Sequence, residues 1–216
     1  MRHSLRTAVY VVLVFAISYG LVPAQGVQGP TAGIPKSLTG LVPDGYEIQS
    51  PKTFVSGTMG SVSFGAVQHI DGRRDVYTRE FRFELTVMEK PEVLVASQGP
   101  IYKKKIEQDA QSSFDNSREK ADVADPVVGY DEPRLTEYPW GRGVTQRVVH
   151  KYVGAGQGPD EIEFSCQYFG LIVSGAVFKL FKLSVSGVDS REAADQWAIK
   201  AAGAIAAITP ADLSVK

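Results

Sequence analysis

Hydrophobic and polar residues alternate most regularly in the segment VYTREFRFELTVMEK. Phe81, Phe83 and Leu85 fall on one face of an extended chain, and charged residues and threonines fall on the other. A period of two is typical of a half-buried β-strand. The preceding segment GSVSFGAVQ alternates in the same way, and Asp71–Gly72 between them is a preferred turn pair. The sequence therefore predicts an antiparallel hairpin.

The period then changes to that of a helix. Tyr102, Ile106, Ala110 and Phe114 recur every fourth residue with polar residues between them, which indicates an amphipathic helix. Pro100 suits the first turn of that helix. The stretch 116–139 that follows is polar and has no sustained period, so we expect a long surface connection, with at most a short helical piece.

Three β segments and a helix complete the chain. The segments GVTQRVVHKYV, IEFSCQYFGLIV and AVFKLFKLSVSG precede a helical stretch that opens at Asp189 or Ser190, either of which can cap it. Trp197 and several small residues share one face of this last helix, and the small residues would let it lie close on a sheet. We interpret Trp197 as a structural core residue.

These elements give the order β-β-α-β-β-β-α. The sequence predicts an α+β fold, with a mostly antiparallel sheet of five to six strands packed with two main helices. A chain of 216 residues is long enough for one sizeable core. We therefore expect a single α+β domain over residues 44–216.

The N-terminus has the pattern of an export signal. Arg2 and Arg6 form a basic head, the apolar run AVYVVLVFAISYGLV follows, and the small residue Ala24 ends it. We interpret residues 1–24 as a signal peptide, the alternative being an uncleaved membrane anchor. Residues 25–43, rich in glycine and proline, predict a flexible lead-in. The protein would then be exported, to the periplasm or outside the cell, with no stable membrane span after cleavage.

Charge argues against a nucleic-acid partner. The chain has 23 basic and 24 acidic residues, and loss of Arg2 and Arg6 leaves 21 and 24, a net charge of −3. A protein with no basic excess lacks the main electrostatic driving force for binding phosphates. Cys166 is the single cysteine, which excludes an intramolecular disulfide, and its apolar neighbours predict a buried, unreactive thiol.

Strong catalytic and cofactor motifs are absent from the sequence. The glycines of YVGAGQGPDE lie between two predicted strands and are followed by a proline and two acids, so we interpret them as a hairpin connection and not a phosphate-binding loop. His69 and His150 remain after the signal peptide, with neither HExxH nor CxxC spacing for zinc. GxSxG is also missing. The sequence indicates no cofactor, metal or catalytic residue of high specificity.

Two segments leave alternatives open. Asp125, Asp131 and Glu132 belong to the acidic stretch 122–137, which can be a solvated loop, a calcium site or the acid–base pair of a hydrolase. The segment YPWGRG, residues 138–143, can be a ligand-contacting corner or aromatic packing over a sheet edge.

Three features resemble the PsbP-like family, the extrinsic proteins of photosystem II and their relatives: the DGYEI start, the GAGQGPDE hairpin and the VSGAVFKL turn before the closing helix. The resemblance covers residues 40–209 by layout and implies a small binding or assembly protein. We therefore expect a non-enzymatic exported accessory protein whose partner is an envelope protein or a small ligand. A secreted hydrolase using the acids of the 122–137 loop is the alternative.

Overall fold

The computed structural model describes residues 34–49, 51–71, 76–151 and 160–213. Outside this part lie residues 1–33, residues 72–75 after Asp71, and residues 152–159. The signal peptide, the Asp71–Gly72 turn and the glycine-rich hairpin connection therefore stay predictions. In chain order the elements are α1 Lys36–Thr39, β1 Glu47–Ile48, β2 Lys52–Ser56, β3 Met59–Asp71, β4 Val76–Glu89, α2 Glu92–Ala121, β5 Val128–Tyr130, β6 Arg134–Tyr138, β7 Gly141–His150, β8 Glu161–Ser174, β9 Val177–Val188, α3 Arg191–Ala207 and a final 3₁₀ turn Pro210–Leu213.

All strands of the described chain belong to one antiparallel sheet. Its order is β1-β3-β4-β9-β8-β7-β5, with β2 also paired to β3 and β6 also paired to β7. The sequence predicted five to six strands, and this is wrong, because the described residues form nine. The predicted elements correspond to β3, β4, α2, β7, β8, β9 and α3. The added strands are the short edge strands β1, β2, β5 and β6.

Two further expectations differ from the structure. Helix α2 begins at Glu92, eight residues before Pro100, which lies inside it and not in its first turn. The stretch 116–139 is not one long loop, because it contains the end of α2 and both β5 and β6. Both β5 and β6 are held in the sheet by pairing with β7. A polar stretch has no hydrophobic period, so the sequence pattern could not reveal these two strands.

The predicted flexible lead-in is packed where the structure describes it. Leu38 in α1 and Leu41 just after it are buried in the main core. Helix α1 packs against α3, and the Trp197 indole donates a hydrogen bond to the Leu41 carbonyl at 3.1 Å. Two isolated leucines among glycines and prolines do not form a hydrophobic period, so the sequence pattern does not reveal their burial. Burying each of these large apolar side chains nevertheless stabilises the fold.

The sheet has a core on each face. Tyr168 belongs to the main core under α1, α3 and the 3₁₀ turn, and its neighbour Phe169 belongs to a smaller core with Ile106 and Ala110 of α2. Successive residues of a strand point to opposite faces, so β8 is covered on both sides. This explains its nearly continuous apolar run. Helix α2 packs on β7 and β8, and the groove described below opens beside it.

Candidate functional site

A groove of about 370 Å³ lies between α2, the corner that joins β6 to β7, and the last residues of β8. Its size falls within the range of small-ligand clefts. The lining residues are Lys103, Ile106 and Glu107 from α2, residues 137–142 from the corner, and Leu171 and Val173 from β8.

The corner is a two-residue turn, Pro139–Trp140, between Tyr138 and Gly141. Gly141 has φ 156°, and a Cβ added there would lie 2.0 Å from the Phe169 carbonyl oxygen. No side chain fits such a close approach of two strands, so glycine fixes where the corner meets β8.

Aromatic stacking makes the corner rigid. The Tyr138 and Trp140 rings stack with centroids 4.6 Å apart and 5° between their planes. On its inner side Trp140 packs against Phe181 at 5.2 Å. The Tyr138 hydroxyl donates to Asp195 of α3 at 2.5 Å, and burial followed by this carboxylate raises the pKa of Tyr138. The rings therefore pack over the sheet on the side of the main core, while residues 138–142 also border the groove. Contact of this segment with a ligand stays a prediction.

The floor of the groove is apolar and its rim is charged. Ile106 is buried, Leu171 is half-buried and Val173 is 45% exposed. On the rim, Arg142 Nε lies 2.7 Å from Glu137 Oε1. Among the described residues, Lys103 and Glu107 have no ion-pair partner, although they stand four positions apart on one helix. The groove thus offers one free cation and one free anion beside an apolar surface.

A second group of polar side chains surrounds Glu163, which is only 6% exposed. Arg79 Nε donates to Glu163 Oε2 at 2.7 Å, and His150 Nε2 lies 3.6 Å from the other carboxylate oxygen. The Tyr77 ring stacks on His150 at 4.3 Å, and its hydroxyl donates to Glu161 at 3.0 Å. We call these five residues the Glu163 cluster. Every carboxylate in it has a partner, which is the arrangement that a buried ion pair requires.

The predicted acidic candidates do not converge on one site. Asp125 accepts hydrogen bonds from the Val127 and Val128 amides at 2.7 and 2.9 Å, and these bonds lower its pKa. Asp131 forms an ion pair with Arg147 at 2.8 Å. Glu132 is exposed. The first two carboxylates hold the chain around β5, as side chains of turns commonly do.

No three acidic, histidine or cysteine side chains come together as a metal site within residues 34–49, 51–71, 76–151 and 160–213. In the same part of the chain, none of the helices combines the length and the apolar character needed to cross a bilayer.

Cys166 and Trp197 lie in the main core. Cys166 has no exposed surface, and burial raises the pKa of its thiol to about 12. Trp197 packs edge-on against Phe81 at 6.1 Å and lies 5.7 Å from Tyr168. Neither residue reaches the groove lining.

Of the residues that line the groove, the sequence pattern indicated only the aromatic corner as a candidate ligand contact. Lys103 and Glu107 were visible as a four-residue spacing on the predicted helix, but nothing in the sequence placed that helix beside Val173. About seventy residues separate these two parts of the lining, and the packing of α2 on β7 and β8 brings them together.

The chain has little similarity to known proteins. No family model matches the chain, and no curated protein matches it. The chain has a similarity to a solved structure, LpqN of Mycobacterium tuberculosis, described as involved in cell envelope biogenesis. That similarity has 10% identity and a TM-score of 0.25, and covers 75% of this chain and 82% of LpqN. The values are too low to transfer a fold or a function, and the resemblance to PsbP-like proteins is not confirmed.

Proposed function

We propose that this chain is an exported, non-enzymatic accessory protein that binds its partner or ligand in the groove beside α2. The observation that carries the proposal is the composition of the groove. An apolar floor lies next to an unpaired ammonium and an unpaired carboxylate, and the Pro139–Trp140 corner borders the groove. Pockets that bind ligands combine an apolar surface with a few polar groups that fix orientation.

The acidic hydrolase is not favoured by the geometry. Glycoside hydrolysis requires two carboxyl groups facing one bond from opposite sides. Asp125 is engaged with backbone amides and Asp131 with Arg147, so neither is held free to transfer a proton. Export is supported by the basic head and apolar run of the first 24 residues.

A matched pair of surface variants tests the proposal. Val173 in the groove is 45% exposed and Val127 outside it is 53% exposed, so Val173→Glu and Val127→Glu introduce the same charge at similar exposure. The full chain would be titrated by calorimetry with a panel of capped peptides, oligosaccharides and fatty acids. We expect one class to bind, with an affinity that falls about tenfold in Val173→Glu and less than about twofold in Val127→Glu.

Two results would overturn the proposal. One is the absence of binding by every class in the panel. The other is an equal loss of affinity in the two variants, which would place the binding surface elsewhere.

A further inference from the structure

The edge of β8 is open where it borders the groove. Strand β7 begins at Gly141, which pairs with Gly170, whereas β8 continues to Ser174. Within the described chain, residues 171–174 of β8 pair as a strand with β9 alone, and beyond this only the Leu171 amide is hydrogen-bonded, to Trp140. A strand edge without a neighbour presents unpaired amides and carbonyls to an incoming chain.

The direction of these groups follows from one hydrogen bond. The Leu171 amide donates to the Trp140 carbonyl at 2.8 Å, so it points away from β9 and toward the side of β7. Main-chain groups alternate in direction along a strand, so the amide and carbonyl of Val173 point the same way. At Val173 the chain of β7 has already turned away through the Pro139–Trp140 corner. The Val173 main chain therefore faces the space beside the groove.

From these observations we propose that the groove binds an extended peptide segment of a partner protein, which adds as a short strand to residues 171–174 of β8. An apolar side chain of the segment packs on the floor formed by Ile106, Leu171 and Val173. The segment also carries one acidic and one basic side chain, which lie on either side of this apolar side chain. The acidic one pairs with Lys103 and the basic one pairs with Glu107. This inference rests on the proposed function, since it names the class of ligand that the groove takes.

Charge complementarity favours a peptide over other ligands. A segment with one acidic and one basic residue satisfies both free charges of the rim, whereas a fatty acid satisfies only Lys103 and leaves Glu107 unpaired. A sugar ring would need an open aromatic face, but Tyr138 at 4.6 Å and Phe181 at 5.2 Å cover the faces of Trp140. Neither a lipid nor a sugar uses the main-chain groups of a strand edge, as a peptide does in β-augmentation.

The spacing agrees with such a segment. Four residues of a strand span about 13 Å, so the open edge accommodates a segment of four or five residues. Residues 1, 3 and 5 of an extended pentapeptide share one face and span about 13 Å. Lys103 and Glu107 are one helical turn apart, about 6 Å along α2, so long charged side chains at residues 1 and 5 converge on them from either side of the central apolar residue.

Two capped pentapeptides serve as probes, acetyl-Glu-Val-Leu-Val-Lys-amide and its reverse, acetyl-Lys-Val-Leu-Val-Glu-amide. We expect the full chain to bind one of them at least about tenfold more tightly than the other, because Lys103 and Glu107 fix the direction. The paired reversal Lys103→Glu with Glu107→Lys should invert this order. A charge-neutral reversal at exposed positions of α2 outside the lining, Lys104→Glu with Glu119→Lys, should leave it unchanged.

Main-chain pairing is tested separately. Val173→Pro removes the outward amide, which β9 does not use, whereas Val173→Ala keeps it. We expect binding of the preferred peptide to weaken about tenfold in the proline variant and less than about threefold in the alanine variant. If Val173→Pro fails to fold, N-methylation of the three apolar peptide residues gives the same test on the unaltered protein, with the same tenfold loss expected.

The inference is overturned if the N-methylated peptide binds as well as the parent, or if the charge reversal leaves the order of the two peptides unchanged. It is also overturned if neither peptide binds while another class binds in a manner sensitive to Val173→Glu. In that last case the proposed function stands and only the ligand class is wrong. If nothing binds at all, both proposals fail.

Discussion

At the scale of single residues, Cys166 shows how a side chain becomes chemically inert. Burial removes the thiol from reagent and water, and it raises the pKa to about 12, so that almost no thiolate exists at neutral pH. We expect labelling by a thiol reagent to be slow in the folded protein and fast in denaturant. Cys166→Ala should cost on the order of 1 kcal/mol of unfolding free energy and leave peptide binding intact. Rapid labelling of the native chain would contradict the burial.

Arg79 and Arg82 provide a matched comparison of a buried and an exposed ion pair. Arg79 binds the nearly buried Glu163, while Arg82 binds Glu80 on the surface, where the two side chains are 70% and 51% exposed. Arg79→Met leaves a buried carboxylate without its main partner, and we expect a loss of about 2 kcal/mol in unfolding free energy.

Arg82→Met serves as the control and should change stability by less than about 0.5 kcal/mol, because water solvates Glu80 equally well. Urea denaturation of the two variants measures both values. Equal losses of unfolding free energy in the two variants would show that the ion pair with Arg79 does not stabilise the buried Glu163 carboxylate.

At the scale of elements, α3 depends on its first turn. The Ser190 hydroxyl accepts a hydrogen bond from the Ala193 amide at 3.0 Å and so caps the helix. Ser190→Ala should lower the free energy of unfolding by about 1 kcal/mol. Ser112→Ala, at an exposed interior position of α2, should be neutral or slightly stabilising, since alanine favours helix. A Ser190 variant as stable as the Ser112 variant would mean that the cap contributes nothing.

The elements also show what a sequence pattern can and cannot predict. The hairpin of β3 and β4 was predictable because both strands are more than ten residues long and contain a clear alternation of apolar and polar residues. The short strands β1, β5 and β6 have too few residues for a period to emerge, and their neighbours in the sheet determine them. For β2 a signal existed, because Gly57 with φ 57° stands first in a two-residue turn to β3, as a type II′ hairpin requires.

The candidate groove was less predictable than the fold. Its aromatic corner stood out by composition, but its charged rim and its floor come from α2 and β8, which are distant in sequence. The open edge at Val173 depends on β8 being longer than β7 at that end. Strand length and register of this kind follow from tertiary pairing, so the local pattern cannot supply them.

At the scale of the whole molecule, stability should fall in alkali. Burial is the main cause that raises the pKa of Tyr46 and Tyr77 to about 12. In the unfolded chain a tyrosine ionises near pH 10, so between pH 10 and 12 unfolding releases protons that the folded chain retains. The free energy of unfolding should therefore be unaffected by these groups below pH 10 and decrease as the pH rises toward 12.

Urea denaturation at pH 8, 10 and 11 measures this effect, with Tyr77→Phe as the comparison that isolates one phenol from the lysines titrating nearby. The variant should lose less stability between pH 10 and 11 than the parent. An identical loss in both proteins would show that Tyr77 ionises as readily folded as unfolded.

The most direct measurement of the binding groove is an amide-resolved NMR titration of the full chain with the two capped pentapeptides. We expect the largest chemical-shift changes at residues 103–107, 137–142 and 171–174, with the Val173 amide shifting as it gains a hydrogen-bond partner. The Glu163 cluster and the β2 edge should not respond. Changes concentrated at either of those places, with the groove residues unmoved, would contradict the assignment of the groove as the binding site.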